Sequence, residues 1–108
     1  VEELNIIYRI LKYLQKSLDC DEFNPEGISP ERLHISRSKW QKLLIMLQDE
    51  GYIKGLVYDR TFDEYSPQIE EPVSPVITLE GLEYLSENST MRKMGRIGKG
   101  IKDSIPGA

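Results

Sequence analysis

Apolar residues return along the first half of the chain with a helical period. Leu4, Ile7, Ile10, Leu11, Leu14 and Leu18 keep that spacing, which predicts a helix from Glu2 to Leu18. Its first turn carries Glu2 and Glu3, where the helix macrodipole favours acids. Ile6 and Tyr13 sit about a third of a turn off this stripe at ~100° per residue, so the helix is expected to touch two layers. A second run, Trp40, Leu43, Leu44 and Leu47, falls at i, i+3, i+4 and i+7 and predicts a buried stripe on a helix between Ser36 and Gly51. Ser36 can accept from an orphan N–H of the first turn, and Gly51 can take the left-handed conformation that ends a helix. Between these two helices, Ser29-Pro30-Glu31-Arg32-Leu33 has a capping Ser and a Pro at the first helical position, which predicts a short helix. His34-Ile35-Ser36 is the turn that follows it. Residues 20–27, with Asn24-Pro25 and Gly27, read as a loop held to the core by Phe23 and Ile28.

Past Gly51 the period changes. Tyr52 to Asp59 and Val73 to Leu79 alternate as strands do, and Pro75 marks the second as an edge or a bulge because it has no N–H for a ladder. Arg60 to Pro72 is too long for a tight hairpin and is expected to form an extended, mobile wing. Thr78 then fits as the cap of another helix, with Leu79, Leu82, Tyr84 and Leu85 facing inward. Gly81 inside that helix implies close approach of another backbone. Ser86 to Thr90 breaks the pattern. From Met91 onward Met94, Ile97, Ile101 and Ile105 lie opposite Arg92, Arg96 and Lys99, a basic amphipathic helix. Gly95, Gly98 and Gly100 weaken it by roughly 1 kcal/mol each against Ala, so it should need a surface, and the Ile6 and Tyr13 flank of the first helix is the candidate. The expected organisation is one domain over residues 1–88 with a tail helix over residues 89–108 packed on it. The fold class is α+β, mainly helical, in the order of a winged helix-turn-helix: a three-helix core, a two-stranded hairpin wing and additional C-terminal helices.

Composition agrees with one small globular domain: 108 residues, 39% hydrophobic and 30% charged. The longest apolar run is far short of the ~20 residues that span a bilayer, and the first residues lack the parts of a signal peptide. Cys20 is the only cysteine, so no internal disulfide can form, and a soluble, cytoplasmic protein is expected. The net charge of −4 is unevenly spread. Residues 29–54 hold five bases and three acids, and residues 89–108 hold five bases and one acid, whereas residues 55–72 hold five acids and one base. A polyanion partner would have to meet the first two stretches.

Two local signatures narrow the class further. Leu43-Leu44-x-x-Leu47-x-x-x-Gly51-Tyr52-Ile53-Lys54-Gly55 and Ile77-Thr78-Leu79-Glu80-Gly81-Leu82-Glu83-Tyr84-Leu85 resemble the end of the third helix and the second-strand-to-helix junction of bacterial winged-helix proteins. At this spacing they are similar to the YjcQ family, small proteins of bacterial chromosomes and their prophages. The resemblance implies a winged-helix fold and a prophage-linked setting, and it implies no reaction.

The leading functional expectation is DNA binding by the helix after Ser36, as a prophage-associated transcriptional regulator. With the apolar stripe inward, Arg37, Ser38, Lys39, Gln41, Lys42 and Ile45 are expected on or beside the outward face. Arg and Gln can read base edges, Lys can meet phosphate, and Ile can touch a thymine methyl. Against this, the wing carries Asp59, Asp63, Glu64, Glu70 and Glu71 with only Arg60 to offset them. The alternative is a protein-interaction module using Ile45 and Met46 with Phe62, Tyr65 and Ile69 of the wing, and a homodimer is compatible with it. Membrane and small-molecule partners are not expected. Nothing in the sequence suggests an enzyme, a cofactor or a metal site. His34 stands alone, the acids of residues 19–26 lack calcium-loop register, and Cys20 among acids has its thiolate disfavoured.

Overall fold

The computed structural model describes residues 2–59 and 68–88. Helix α1 (Glu2–Ser17) buries Ile6, Ile7, Ile10, Leu11 and Leu14 and has Lys16 in its last turn, where the dipole favours a base. Leu4 and Leu18, expected on the buried stripe, are exposed. Leu4 lies at the edge of an arc that has shifted to include Ile6, and Leu18 follows the last helical residue. Tyr13 packs edge-on against Phe23, with ring centroids 5.9 Å apart, and its hydroxyl donates to the Asn24 carbonyl at 2.8 Å. The tail expected against this flank lies outside the described residues.

The stretch read as a loop closes with a 3-10 turn, Pro25–Ile28, capped by Asn24, whose side chain accepts from the Glu26 N–H. Ile28 is fully buried and Phe23 packs against the core, as their apolar character requires. The short helix α2 (Pro30–Leu33) starts with Ser29 accepting from the Arg32 N–H at 3.1 Å and ends at His34, which adopts a left-handed conformation in solvent. Helix α3 (Arg37–Asp49) starts in the same way, with the Ser36 hydroxyl accepting from the Lys39 N–H at 3.1 Å. Gly51, at φ +86°, ends it.

After α3 the chain runs out and back as a broken antiparallel ribbon. Strand β1 (Ile53–Lys54) pairs with β4 (Val76–Ile77), and β2 (Tyr58–Asp59) pairs with β3 (Gln68–Ile69). Two unbroken arms over 52–59 and 73–79 were expected, with Gln68 and Ile69 in the loop; the pairing resides instead in two separate two-residue pairs. Pro75 stands just ahead of β4, at the interruption, where a missing N–H removes no ladder bond. Gln48 of α3 fills the opposite gap. Its amide donates to the Leu56 carbonyl at 3.2 Å and accepts from the Leu56 N–H at 2.8 Å. A side chain thus supplies bonds that a continuous ladder would have made.

Helix α4 covers residues 79–88. Thr78 caps it by accepting from the Gly81 N–H at 3.1 Å, and its hydroxyl also donates to the Gly51 carbonyl. Leu85 is buried and Leu82 and Tyr84 pack against the core, but Leu79 is 68% exposed, contrary to expectation. As the first helical residue it precedes the turn that meets the sheet. The buried apolar side chains of all these elements form one cluster. At its centre Trp40 donates through Nε1 to the Ile28 carbonyl at 2.7 Å, tying α3 to the 3-10 turn. The described part is therefore a mainly helical α+β structure of four α-helices and small two-stranded antiparallel sheets.

Candidate functional site

Because α3 is clamped from several sides, more than half of its circumference is buried: Trp40, Leu43, Leu44 and Leu47, and also Gln41 and Ile45. Gln41 is 6% exposed and Ile45 8%. Both were expected in solvent, and this corrects their placement. A helix packed on two sides loses a flank of its apolar stripe as well as the stripe, and Gln41 and Ile45, at ~100° and ~140° round from Trp40, are that flank. Among the described residues no buried side-chain nitrogen or oxygen lacks a partner, so burying a polar group here leaves no unmet bond.

The solvent ridge that remains runs Ser38, Lys42, Met46 and Asp49, at steps of four, four and three. Met46 is 51% exposed. Asp49 accepts from the Tyr58 hydroxyl at 2.9 Å, so the far end of the ridge is acidic and fixed to the hairpin. Of the wing residues expected in an interface, Ile69 is buried, and Phe62 and Tyr65 lie outside the described residues.

The two cations at the start of α3 are each met by an acid from a distant element. Lys39 Nζ lies 2.7 Å from Glu3 Oε2 of α1. The hydrogen bond from Lys39, with a backbone bond and the charge attraction added, holds the Glu3 carboxyl below its ordinary value, and the same bond holds the Lys39 ammonium above its own. Arg37 pairs with Glu71 on the returning arm of the hairpin, and its guanidinium also lies 5.3 Å from the centre of the Trp40 ring. Reading the sequence locally missed Glu3 and Glu71, because no local spacing links them to α3. Among the described residues no group of three or more His, Cys, Asp or Glu could hold a metal ion, and no helix is long and apolar enough to cross a membrane.

Fold and surface together define a small, mainly helical α+β protein whose third helix presents a narrow, nearly neutral ridge beside an acidic hairpin. The chain belongs to the YjcQ family, whose model, described as YjcQ protein, matches residues 8–104. That match spans nearly the whole chain and bears out the resemblance carried by the two signatures. No curated protein and no solved structure matches it.

Proposed function

We propose that this YjcQ-family protein is a non-catalytic winged-helix module that binds another protein through the exposed ridge of α3. The order of helix, short helix, helix, broken hairpin and helix is that of a winged helix. The observation that carries the interaction reading is the neutralisation of Arg37 by Glu71 and of Lys39 by Glu3. A phosphate approaching α3 would have to displace both acids, and affinity for nucleic acid comes largely from free cations. With Gln41 and Ile45 buried, Lys42 is the one cation left on a ridge whose other members are Ser38, Met46 and Asp49. An exposed Met flanked by single charges of opposite sign suits a protein surface better than a uniform polyanion.

DNA binding by α3, as a prophage regulator would need, is the second reading. The solvent access of Ser38 and Lys42 favours it. The two readings separate on one measurement, the binding of a random-sequence duplex at low and at moderate salt. The interaction reading expects no duplex binding that depends on Lys42. Binding that falls steeply with salt and disappears in Lys42→Glu would establish α3 as a DNA reader and overturn the proposal.

A further inference from the structure

Among the described residues, positive charge that pairs with no acid lies elsewhere, on the solvent side of α1. Arg9, Lys12 and Lys16 recur at i, i+3 and i+7, which at ~100° per residue gathers them within about a sixth of a turn. They lie opposite the buried row of Ile7, Leu11 and Leu14. Arg32 of α2 joins them, since Arg9 Nη2 donates to the Arg32 carbonyl at 3.3 Å and draws the two elements together. These four cations, with Tyr8 and Tyr13, line a groove of about 270 Å³. Among the described residues that line it there is no acid. The ion pairs among the described residues, Arg37 with Glu71 and Lys39 with Glu3, involve none of the four. The contrast with α3 is direct: the helix expected to meet an anion has two of its three cations paired with acids, whereas among the described residues no acid pairs with the cations of the helix expected only to pack.

We propose that this groove docks a short, carboxylate-rich segment of a partner protein. From Arg9 to Lys16 the stripe rises only about 10 Å at 1.5 Å per residue. Acids stand beyond it on both sides, with Glu2 and Glu3 at the start of α1, exposed Asp19, Asp21 and Glu22 after its end, and exposed Glu31 on α2. A duplex carries one charge per ~1.7 Å of axis and would run off the stripe onto these acids. A segment of two or three carboxylates ends where the stripe ends. Arg9 and Arg32 can each meet a carboxylate with a two-pronged fork, and the half-buried rings of Tyr8 and Tyr13 offer apolar walls to the methylenes beneath those carboxylates. This surface is separate from the α3 ridge, and neither proposal depends on the other.

The test is fluorescence anisotropy with a labelled oligo-glutamate peptide and, in parallel, an oligothymidylate of equal charge, each at low and moderate salt. Saturable, salt-sensitive binding of the peptide is expected, weakened roughly tenfold or more by Arg9→Glu with Lys16→Glu and retained by Lys12→Arg with Lys16→Arg. Lys42→Glu should leave it unchanged, which separates failure here from failure at α3. If charge reversal lowers the melting temperature, the neutral pair Arg9→Gln with Lys16→Gln is measured in its place. Absence of saturable peptide binding at low salt overturns the proposal, as does an affinity indifferent to Arg9 and Lys16. Tighter binding of the oligothymidylate through the same residues would make the groove a nucleic-acid site instead. Self-association lost in the same variants would make its occupant a second copy of the chain.

Discussion

Gly81 lies on the first turn of α4 at the point where that helix crosses β1 and β4. A β-carbon there would stand 2.3 Å from the Tyr52 carbonyl oxygen and 2.7 Å from the Ile77 side chain. The first of these neighbours is backbone and cannot swing aside. It is also held in place, because the Thr78 N–H donates to that carbonyl at 3.1 Å while the Thr78 hydroxyl bonds both Gly51 and Gly81. Thr78 and Gly81 thus seat α4 together, one by its bonds and the other by having no side chain. Gly81→Ala should therefore destabilise the protein by about 1–3 kcal/mol, despite the higher helix propensity of alanine. Urea denaturation followed by Trp40 fluorescence would measure it. A variant as stable as the parent would mean that α4 can lift from the sheet without loss.

At the scale of elements, α3 and the hairpin are joined by the side-chain amide of Gln48. The hairpin alone has two short pairs of strands separated by a gap, and an isolated ribbon of that kind is marginal in water. Gln48 bonds both backbone groups of Leu56 inside the gap, and the Glu70 N–H donates to the Val57 carbonyl at 2.7 Å beside it. The hairpin is therefore built onto α3 and does not stand free of it. Gln48→Leu keeps comparable bulk but removes both bonds, and it should cost about 1–3 kcal/mol for the two stranded backbone groups. Amide hydrogen exchange at Leu56 should quicken in that variant while exchange within α1 follows only the global loss. Gln48 could not be singled out from the sequence, where it reads as one more polar residue near a helix end.

Across the whole molecule, two ion pairs tie three elements at the start of α3. Their dependence on pH follows from the shifts at Glu3 and Lys39. Because the Glu3 carboxyl is held low in the folded state, its contribution is complete above the ordinary carboxylate range and is lost as pH falls through the depressed value. Because Lys39 is held high, its contribution is complete below the ordinary ammonium range and is lost as pH rises through the raised value. The pair is intact across neutral pH. Lys39→Ala should move the Glu3 titration, followed by its carboxyl NMR signal, up toward that of an ordinary glutamate. The same arrangement makes a prediction about binding. Glu3→Gln with Glu71→Gln leaves Arg37 and Lys39 unpaired, and salt-sensitive duplex binding should then appear where the parent has none. If it does not appear, the two acids are not what keeps α3 from phosphate.

Taken alone, the sequence determined those features whose physics is local. Ser29, Ser36 and Thr78 start helices because a hydroxyl reaches the N–H groups two or three residues on, and Gly51 ends one because it lacks a β-carbon. The stripes in α1 and α3 and the order of elements follow from hydrophobic period, and the two signatures place the chain in its family. The basic stripe on α1 was passed over, because charge counted by stretch favoured residues 29–54 and 89–108 and not three cations spaced along one helix face. Only the tertiary structure decided which faces remain in solvent. Periodicity reports the direction of the most apolar face, not how many neighbours close around the helix, so it could not show that α3 buries Gln41 and Ile45. Nor can local spacing show that Lys39 meets a carboxylate 36 residues away or that Arg37 meets Glu71. Charge acts through space, and its partners are chosen by the fold.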